Sequence, residues 1–128
     1  MNLTLILADR PGAAAEVGEA LGRAGINIEA FCGFVVNRHG FAHLVVNDVE
    51  GARRVLDGVC DIAEEQAAAM VDMADRPGSL GELTRAMSDA GLNLKFLYLA
   101  TGTRVVVGAD NMDGLRHVLA QQELVAVG

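Results

Sequence analysis

One short polar turn occurs twice in the sequence, at Asp9-Arg10-Pro11-Gly12 and at Asp75-Arg76-Pro77-Gly78. Each turn precedes a segment with helical spacing, and the first amides of a helix lack intrahelical acceptors and attract anions. Proline donates no hydrogen bond and glycine carries no Cβ, so a carboxylate can approach these amides closely. The aspartate adds an acceptor for a cation. The turn therefore offers partners for both charges of an α-amino acid.

An asparagine follows each of the two helical segments, at Asn27 and Asn93. Its amide both donates and accepts hydrogen bonds. An amino acid presents an ammonium that needs acceptors and a carboxylate that needs donors, so asparagine suits the same ligand. These residues recognise a ligand and include no nucleophile, and we predict a binding protein rather than an enzyme.

The two turns and the two asparagines belong to a longer internal repeat with an offset of 66 residues. Between residues 8 and 27, ten of twenty positions are identical to their counterparts. A repeat of this period predicts two small domains in tandem, residues 1–65 and 66–128. No spacer rich in proline, glycine or serine separates them, so we expect a rigid junction, with the two sheets joined edge to edge.

Each half shows the pattern of a βαββαβ unit. Residues 3–7 predict a buried strand, and a helical stripe follows, formed by Ala14, Val17, Leu21 and Ala24 in the first half and by Leu80, Leu83, Met87 and Ala90 in the second. Gly25 and Gly91 end these helices, as expected where the backbone turns left-handed.

The remaining elements are predicted from apolar runs and turn residues. They are second strands at 26–36 and 92–101, third strands at 41–47 and 104–108, helices capped by Asp48 and Asp110, fourth strands at 61–65 and 124–127, and a first strand of the second half at 66–73. With right-handed crossovers this order gives an α+β, ferredoxin-like fold, an antiparallel sheet with both helices on one face.

The turn, the helix and the Ala-Gly-(Ile/Leu)-Asn segment after it resemble the ACT domain family, and the whole chain resembles a tandem pair of ACT domains standing alone. The resemblance implies an amino-acid-binding regulatory module with no cofactor, whose ligand lies at an interface between ACT domains. It implies ligand contacts at Gly12, Ala13, Ala14 and Asn27, and at Gly78, Ser79, Leu80 and Asn93. The predicted ligand-binding set also includes the acceptors Asp9 and Asp75 and the strand residues Ile28 and Leu94.

The two candidate sites differ in the residues around the shared motif. Ala13-Ala14-Ala15 corresponds to Ser79-Leu80-Gly81, and on the second strand Glu29 and Phe31 correspond to Lys95 and Leu97. We therefore expect two sites that differ in size and charge, of which one is occupied more readily.

Several residues have two interpretations. The turn and the asparagines also suit a purely structural connection, and Arg10 and Arg76 suit either a ligand carboxylate or an acid on the helix. His39 and His43 lack a third metal ligand, so we expect surface histidines and no metal site. Cys32 and Cys60 are expected to be buried or half-buried thiols.

Composition and charge exclude some partners. A net charge of −7, a single lysine and few aromatic residues argue against nucleic-acid binding. The apolar runs are too short to span a membrane, and we expect a soluble cytoplasmic protein. Because each half is small, we expect a homodimer.

Two other functions compete with amino-acid sensing. One is a regulatory interaction subunit of a metabolic enzyme, without a ligand of its own. The other is a small acylphosphatase-like hydrolase, in which Arg10 and Asn27 would bind phosphate and position water.

Overall fold

The protein is described by a computed structural model over residues 1–122, and its contacts divide it into two compact units. The first unit is Met1–Gln66, and the second begins at Ala67. The predicted strand at 124–127 lies outside the described residues. Each unit is presented separately below.

The first unit has the predicted βαββαβ order. Its elements are β1 (Asn2–Leu7), α1 (Ala13–Arg23), β2 (Ile28–Val36), β3 (His39–Val46), α2 (Val49–Leu56) and β4 (Asp61–Gln66). The strands form one sheet in the order β2-β3-β1-β4, and all neighbours are antiparallel. This is the ferredoxin-like topology expected from right-handed crossovers.

The second unit repeats this order as far as it is described. Its elements are β5 (Ala69–Asp72), α3 (Ser79–Asp89), β6 (Leu94–Leu99), β7 (Arg104–Ala109) and α4 (Met112–Gln121). The three strands pair antiparallel in the order β5-β7-β6, which corresponds to β1-β3-β2 of the first unit. The strand predicted at 66–73 is shorter than expected, because Gln66 ends β4 opposite Asn2.

Both helices of the first unit pack on one face of its sheet. Leu3 and Leu5 point to the same face because side chains alternate along a strand, and both are fully buried with Leu21 of α1 and Leu56 of α2. The second unit has an equivalent core around Val71, Met87, Val105 and Leu115.

The ends of the predicted helical stripes do not belong to these cores. Val17, Leu21, Leu83 and Met87 are buried as expected, whereas Ala14, Ala24, Leu80 and Ala90 are exposed. Ala13 is the buried residue at the start of α1. Ala14 and Leu80 are thereby left at the surface beside the turns.

The glycines after α1 and α3 adopt the predicted left-handed conformation, with φ of 71° at Gly25 and 74° at Gly91. The Ile26 amide donates to the Leu21 carbonyl over 2.9 Å, and the Leu92 amide donates to the Met87 carbonyl over 3.0 Å. This pattern is the Schellman motif. Because these amides close the helices, β2 and β6 begin two residues later than predicted.

Two other strand boundaries also shift by two residues. Asn37 and Arg38 have positive φ values of 48° and 65° and form a two-residue turn. The third strand therefore begins at His39 rather than at residue 41. In the second unit β6 ends at Leu99, two residues before the predicted end.

The second helix of each unit has an N-terminal cap, but only one prediction of the capping residue is correct. The Asp48 carboxylate accepts a 2.9 Å bond from the Gly51 amide, as predicted. In the second unit Asn111, not Asp110, caps α4 by accepting from the Gly114 amide over 2.9 Å. Asp110 instead accepts from the Asn93 amide over 3.2 Å. In the first unit the Asn47 side chain accepts from the Asn27 amide in the same way.

Replacing Asp48 by alanine is expected to lower the free energy of unfolding by about 1 kcal/mol, because the Gly51 amide loses its acceptor. Asn111→Ala should cost a similar amount, whereas Asp110→Ala should leave the α4 cap intact. Urea denaturation of the three variants measures these differences. A larger effect of Asp110→Ala on the helix signal would contradict the assignment.

Candidate functional site

The two repeated turns have the same backbone geometry. Gly12 and Gly78 are the N-cap residues of α1 and α3, with φ of 89° and 93°, and no side chain caps either helix. A left-handed φ of this size favours glycine. The Ala13 and Ser79 amides donate to the Arg10 and Arg76 carbonyls over 3.4 and 3.3 Å. The next two amides of each helix make no described hydrogen bond and can meet an external anion.

The arginines of the turns are bound to glutamates in the first turn of each helix. Arg10 Nη2 lies 2.7 Å from Glu16 Oε2, and Arg76 Nη2 lies 2.6 Å from Glu82 Oε2. Hydrogen bonding from the arginine lowers the pKa of each glutamate carboxyl from its usual value. Of the two roles considered for these arginines, the structure shows the pairing with a helix acid. All four side chains are exposed, so the pairs add little stability.

Asn27 and Asn93 are held through their backbones, not through their side chains. The Asn27 amide donates to Asn47 Oδ1 over 3.1 Å, and its carbonyl accepts from the Asn47 amide over 3.3 Å. Asn93 makes the same two bonds with Asp110. Within residues 1–122 neither asparagine side chain makes a hydrogen bond, and both residues are exposed. Their amide groups are available to a ligand.

The turn and the asparagine of one unit lie at opposite ends of one helix. Gly12 precedes α1 and Asn27 follows it, and the 11 residues of α1 correspond to about 16 Å at 1.5 Å per residue. A single unit therefore does not bring its turn and its asparagine to one small ligand. Ile28 and Leu94, which begin β2 and β6, lie at the same end as the asparagines.

Each turn lines a cavity, which we call the first and the second turn cavity. The first has about 340 Å³, with Asp9, Ala13 and Ala14 among its lining residues, together with Phe31, Phe34 and Phe41. The second has about 420 Å³, and its lining includes Asp75, Gly78, Ser79, Leu80, Leu99 and Arg104. Five of the candidate residues line neither cavity: Gly12, Asn27, Ile28, Asn93 and Leu94.

Sequence reasoning missed the strand residues that complete these cavities. Phe41 lies near the start of β3 and pairs with Ile6, near the end of β1. Arg104 begins β7 and pairs with Asp72, the last residue of β5. The predicted sheet order already sets the start of the third strand beside the end of the first. That signal would have identified both positions.

Ser79 differs from its counterpart Ala13 by a hydroxyl group. Among the described residues, its Oγ is a buried side-chain atom without a hydrogen-bond partner. A buried unpaired hydroxyl is unfavourable. This hydroxyl is therefore enclosed beside the second turn cavity, which Ser79 lines.

A second polar cluster lies on the sheet face of the first unit that is opposite the helices. Asn2 is fully buried, and its Nδ2 lies 3.0 Å from Gln66 Oε1 and 3.1 Å from His43 Nδ1. Thr4 Oγ1 lies 3.3 Å from the same histidine nitrogen. An amide nitrogen only donates, so His43 Nδ1 accepts. The expectation of a surface histidine is wrong for His43, which is half-buried, and holds for His39, which is exposed.

Acid is expected to destabilise the protein through His43. Burial lowers the pKa of His43 below its ordinary value of 6.5, so the folded protein binds this proton less tightly than the unfolded chain. The stabilising contribution of neutral His43 is complete above pH 6.5 and is lost as the pH falls below it. His43→Gln should reduce the decrease in melting temperature between pH 7 and 5. An unchanged decrease would contradict this role.

Several other properties limit the chemistry of the described residues. Cys32 and Cys60 are half-buried free thiols, and burial raises the pKa of Cys60. Residues 1–122 contain no group of three or more His, Cys, Asp or Glu side chains able to hold a metal. They also contain no helix of the length and apolarity needed to cross a membrane.

Comparison of the sequence with models of protein families gives no match, and neither does comparison with well-characterised proteins. Solved structures do match. Protein BT0572 from Bacteroides thetaiotaomicron has a TM-score of 0.85 and 25% identity, over 98% of this chain and 90% of that chain.

Two regulatory subunits of aspartate kinase also share the fold. The subunit from Thermus thermophilus has a TM-score of 0.68 and 24% identity, over 93% of this chain and 89% of its own. The subunit from Thermus flavus has a TM-score of 0.66 and 22% identity, over 94% of this chain and 90% of its own. The chain therefore shares its mixed α+β fold with these regulatory subunits.

Proposed function

We propose that this protein is a tandem pair of ACT domains, residues 1–65 and 66–128, that binds an α-amino acid and regulates a partner enzyme or its own assembly. The observation that carries the proposal is the duplicated turn, in which an uncapped helix N-terminus and an aspartate line a cavity in each unit. The likeness of the fold to regulatory subunits supports a regulatory role.

The groups at each turn suit the two charges of an amino acid. The amides at the start of the helix bind the carboxylate, and Asp9 or Asp75 accepts from the ammonium. Among the described residues, neither the Asp9 nor the Asp75 side chain makes a hydrogen bond. Asn27 and Asn93, with the adjoining Ile28 and Leu94, lie too far from the turn of their own unit to meet its ligand. We propose that they contact a ligand held at a turn of a second copy of the chain.

The geometry disfavours the hydrolase alternative. Arg10 is bound to Glu16, and Asn27 lies at the other end of α1, so the two residues do not meet at one phosphate within the unit. We propose a non-enzymatic, cytoplasmic protein without a cofactor. A subunit that acts only through protein contacts remains the second candidate, because β2 exposes apolar side chains.

We expect the protein to form homodimers. β2 is an edge strand of its sheet as described. Its residues Phe34, Val35 and Val36 are 42%, 59% and 49% exposed. Covering such a strand protects its backbone groups and its apolar surface. Light scattering should give twice the mass of 13.4 kDa. A monomer at high micromolar concentration would refute the dimer.

A thermal-shift screen against the common amino acids tests the proposed function. A ligand that binds only the folded state raises its stability by mass action, by about 2.7 kcal/mol at a concentration 100 times Kd. We expect a raised melting temperature with at least one amino acid, and none with the matching amines that lack the carboxylate.

A further inference from the structure

The two turn cavities share a backbone but differ in the strand residue next to the turn. Phe41 pairs with Ile6 on β1, and Arg104 pairs with Asp72 on β5. Ile6 and Asp72 are 66 residues apart, the offset of the repeat, so Phe41 and Arg104 occupy equivalent places. An aromatic ring in one cavity thus corresponds to a guanidinium group in the other.

Arg104 is held in place but lacks a carboxylate partner among the described residues. Its Nε donates to the Thr101 carbonyl over 2.9 Å, and its Nη2 donates to Thr101 Oγ1 over 2.6 Å. A guanidinium has five donors in a rigid fork. Arg76, the other arginine of this cavity, is already bound to Glu82. Arg104 is therefore the cation whose remaining donors can meet an anionic group in the cavity.

Ser79 is a second polar residue of the same cavity. Its buried Oγ has no hydrogen-bond partner among residues 1–122, and Ser79 lines the second turn cavity together with Arg104. Ser79 also borders a smaller cavity of about 200 Å³ on the side of Glu82 and Gln122. Buried polar groups are normally paired, and rotation of the Ser79 side chain would let this hydroxyl donate to an acceptor in the cavity.

The first turn cavity lacks these polar groups. Ala13 replaces Ser79, and Phe41 replaces Arg104, with its ring centroid 5.8 Å from that of Phe34. The aspartate, the left-handed glycine and the arginine–glutamate pair are the same in both units. The cavities therefore match where the backbone of an amino acid binds and differ where its side chain extends.

We propose that the second turn cavity selects an amino acid with a carboxylate side chain and that Arg104 determines this specificity. The inference rests on the proposed function, with the α-carboxylate at the amides of α3 and the ammonium at Asp75. The side-chain carboxylate accepts from the donors of Arg104 that Thr101 leaves free, and Ser79 can add a bond once its side chain rotates toward the cavity.

Calorimetry of the full chain with L-aspartate, L-asparagine, L-glutamate, L-glutamine and L-leucine at pH 7.5 tests the selectivity. The acid and its amide have nearly the same shape, so their comparison isolates the charge. We expect aspartate or glutamate to bind at least about tenfold more tightly than its amide, because the amide forgoes a charge-assisted bond. Equal affinities for acid and amide would overturn the proposal.

Arg104→Met and Arg104→Lys assign the selectivity to this residue. Arg104→Met should weaken binding of the acid at least about tenfold and leave the amide within about threefold, and Arg104→Lys should retain part of the preference. Phe41→Met, the equivalent change in the first unit, should leave the preference unchanged. Selectivity that survives Arg104→Met would overturn the assignment.

If Arg104→Met does not fold, the acid-to-amide comparison in the wild type still decides the question. Binding of leucine alone would contradict the inference while supporting the proposed function. Absence of binding by all common amino acids would contradict both.

Discussion

One of the substitutions Asn27→Ala and Asn93→Ala is expected to weaken amino-acid binding by at least about tenfold, and the other to have a much smaller effect. Both side chains are exposed and make no hydrogen bond within the described residues, so their removal leaves the fold unchanged. At an occupied site, the loss leaves a charge of the ligand or a backbone group unpaired, which costs about 1 to 3 kcal/mol. Differences such as Ser79 against Ala13 predict unequal occupation of the two sites.

Calorimetry of the wild type and the two single variants measures this difference. Asn47→Ala is a control, because its side chain holds the Asn27 amide and is not a candidate ligand contact. Equal losses in both asparagine variants would contradict the asymmetry. No loss in either variant would show that the repeated asparagine is only structural.

Gly12→Ala and Gly78→Ala are expected to destabilise the protein by similar amounts but to differ in their effect on binding. Both glycines have left-handed φ values, 89° and 93°, and a Cβ in this conformation costs about 1–2 kcal/mol. At the occupied turn the strained residue also displaces the amides that receive the carboxylate. We expect a loss of affinity of at least about tenfold for one variant.

Because Gly12→Ala and Gly78→Ala introduce similar backbone strain, a difference between them in amino-acid affinity is not explained by a loss of stability. Urea denaturation should give nearly equal losses for the two glycine variants, since a Cβ at Gly78 has no neighbour within 4 Å and one at Gly12 meets only the end of Arg10 at 3.7 Å. Calorimetry should distinguish them. Affinities that fall in parallel with stability would show that the turns act only as connections.

Local patterns predicted most of each unit. The alternation around Leu3 and Leu5, the stripe through Val17 and Leu21, and Gly25 after the helix each depend on a few neighbouring residues, and all agree with the structure. The order of these elements leaves few possible topologies. The sheet order of the first unit could therefore be deduced from the sequence.

Features that depend on distant residues were predicted less well. Asp110 was assigned as a cap because aspartate suits that role, but the shorter second hairpin moves it opposite Asn93, and Asn111 takes the cap. His43 was assigned to the surface, although its partners Asn2 and Gln66 come from other strands. Arg104 was overlooked, because it lies 29 residues from Asp75 in sequence.

Amino-acid binding by the intact chain is the central claim, and isothermal titration calorimetry tests it most directly. Titrating each common amino acid into the protein should give saturable heat with at least one of them, with a stoichiometry of one or two per chain. Asn→Ala or Gly→Ala at the occupied repeat should weaken that binding at least about tenfold. A flat titration with all of them, at concentrations up to several millimolar, would contradict the account and leave a regulatory subunit that acts through protein contacts alone.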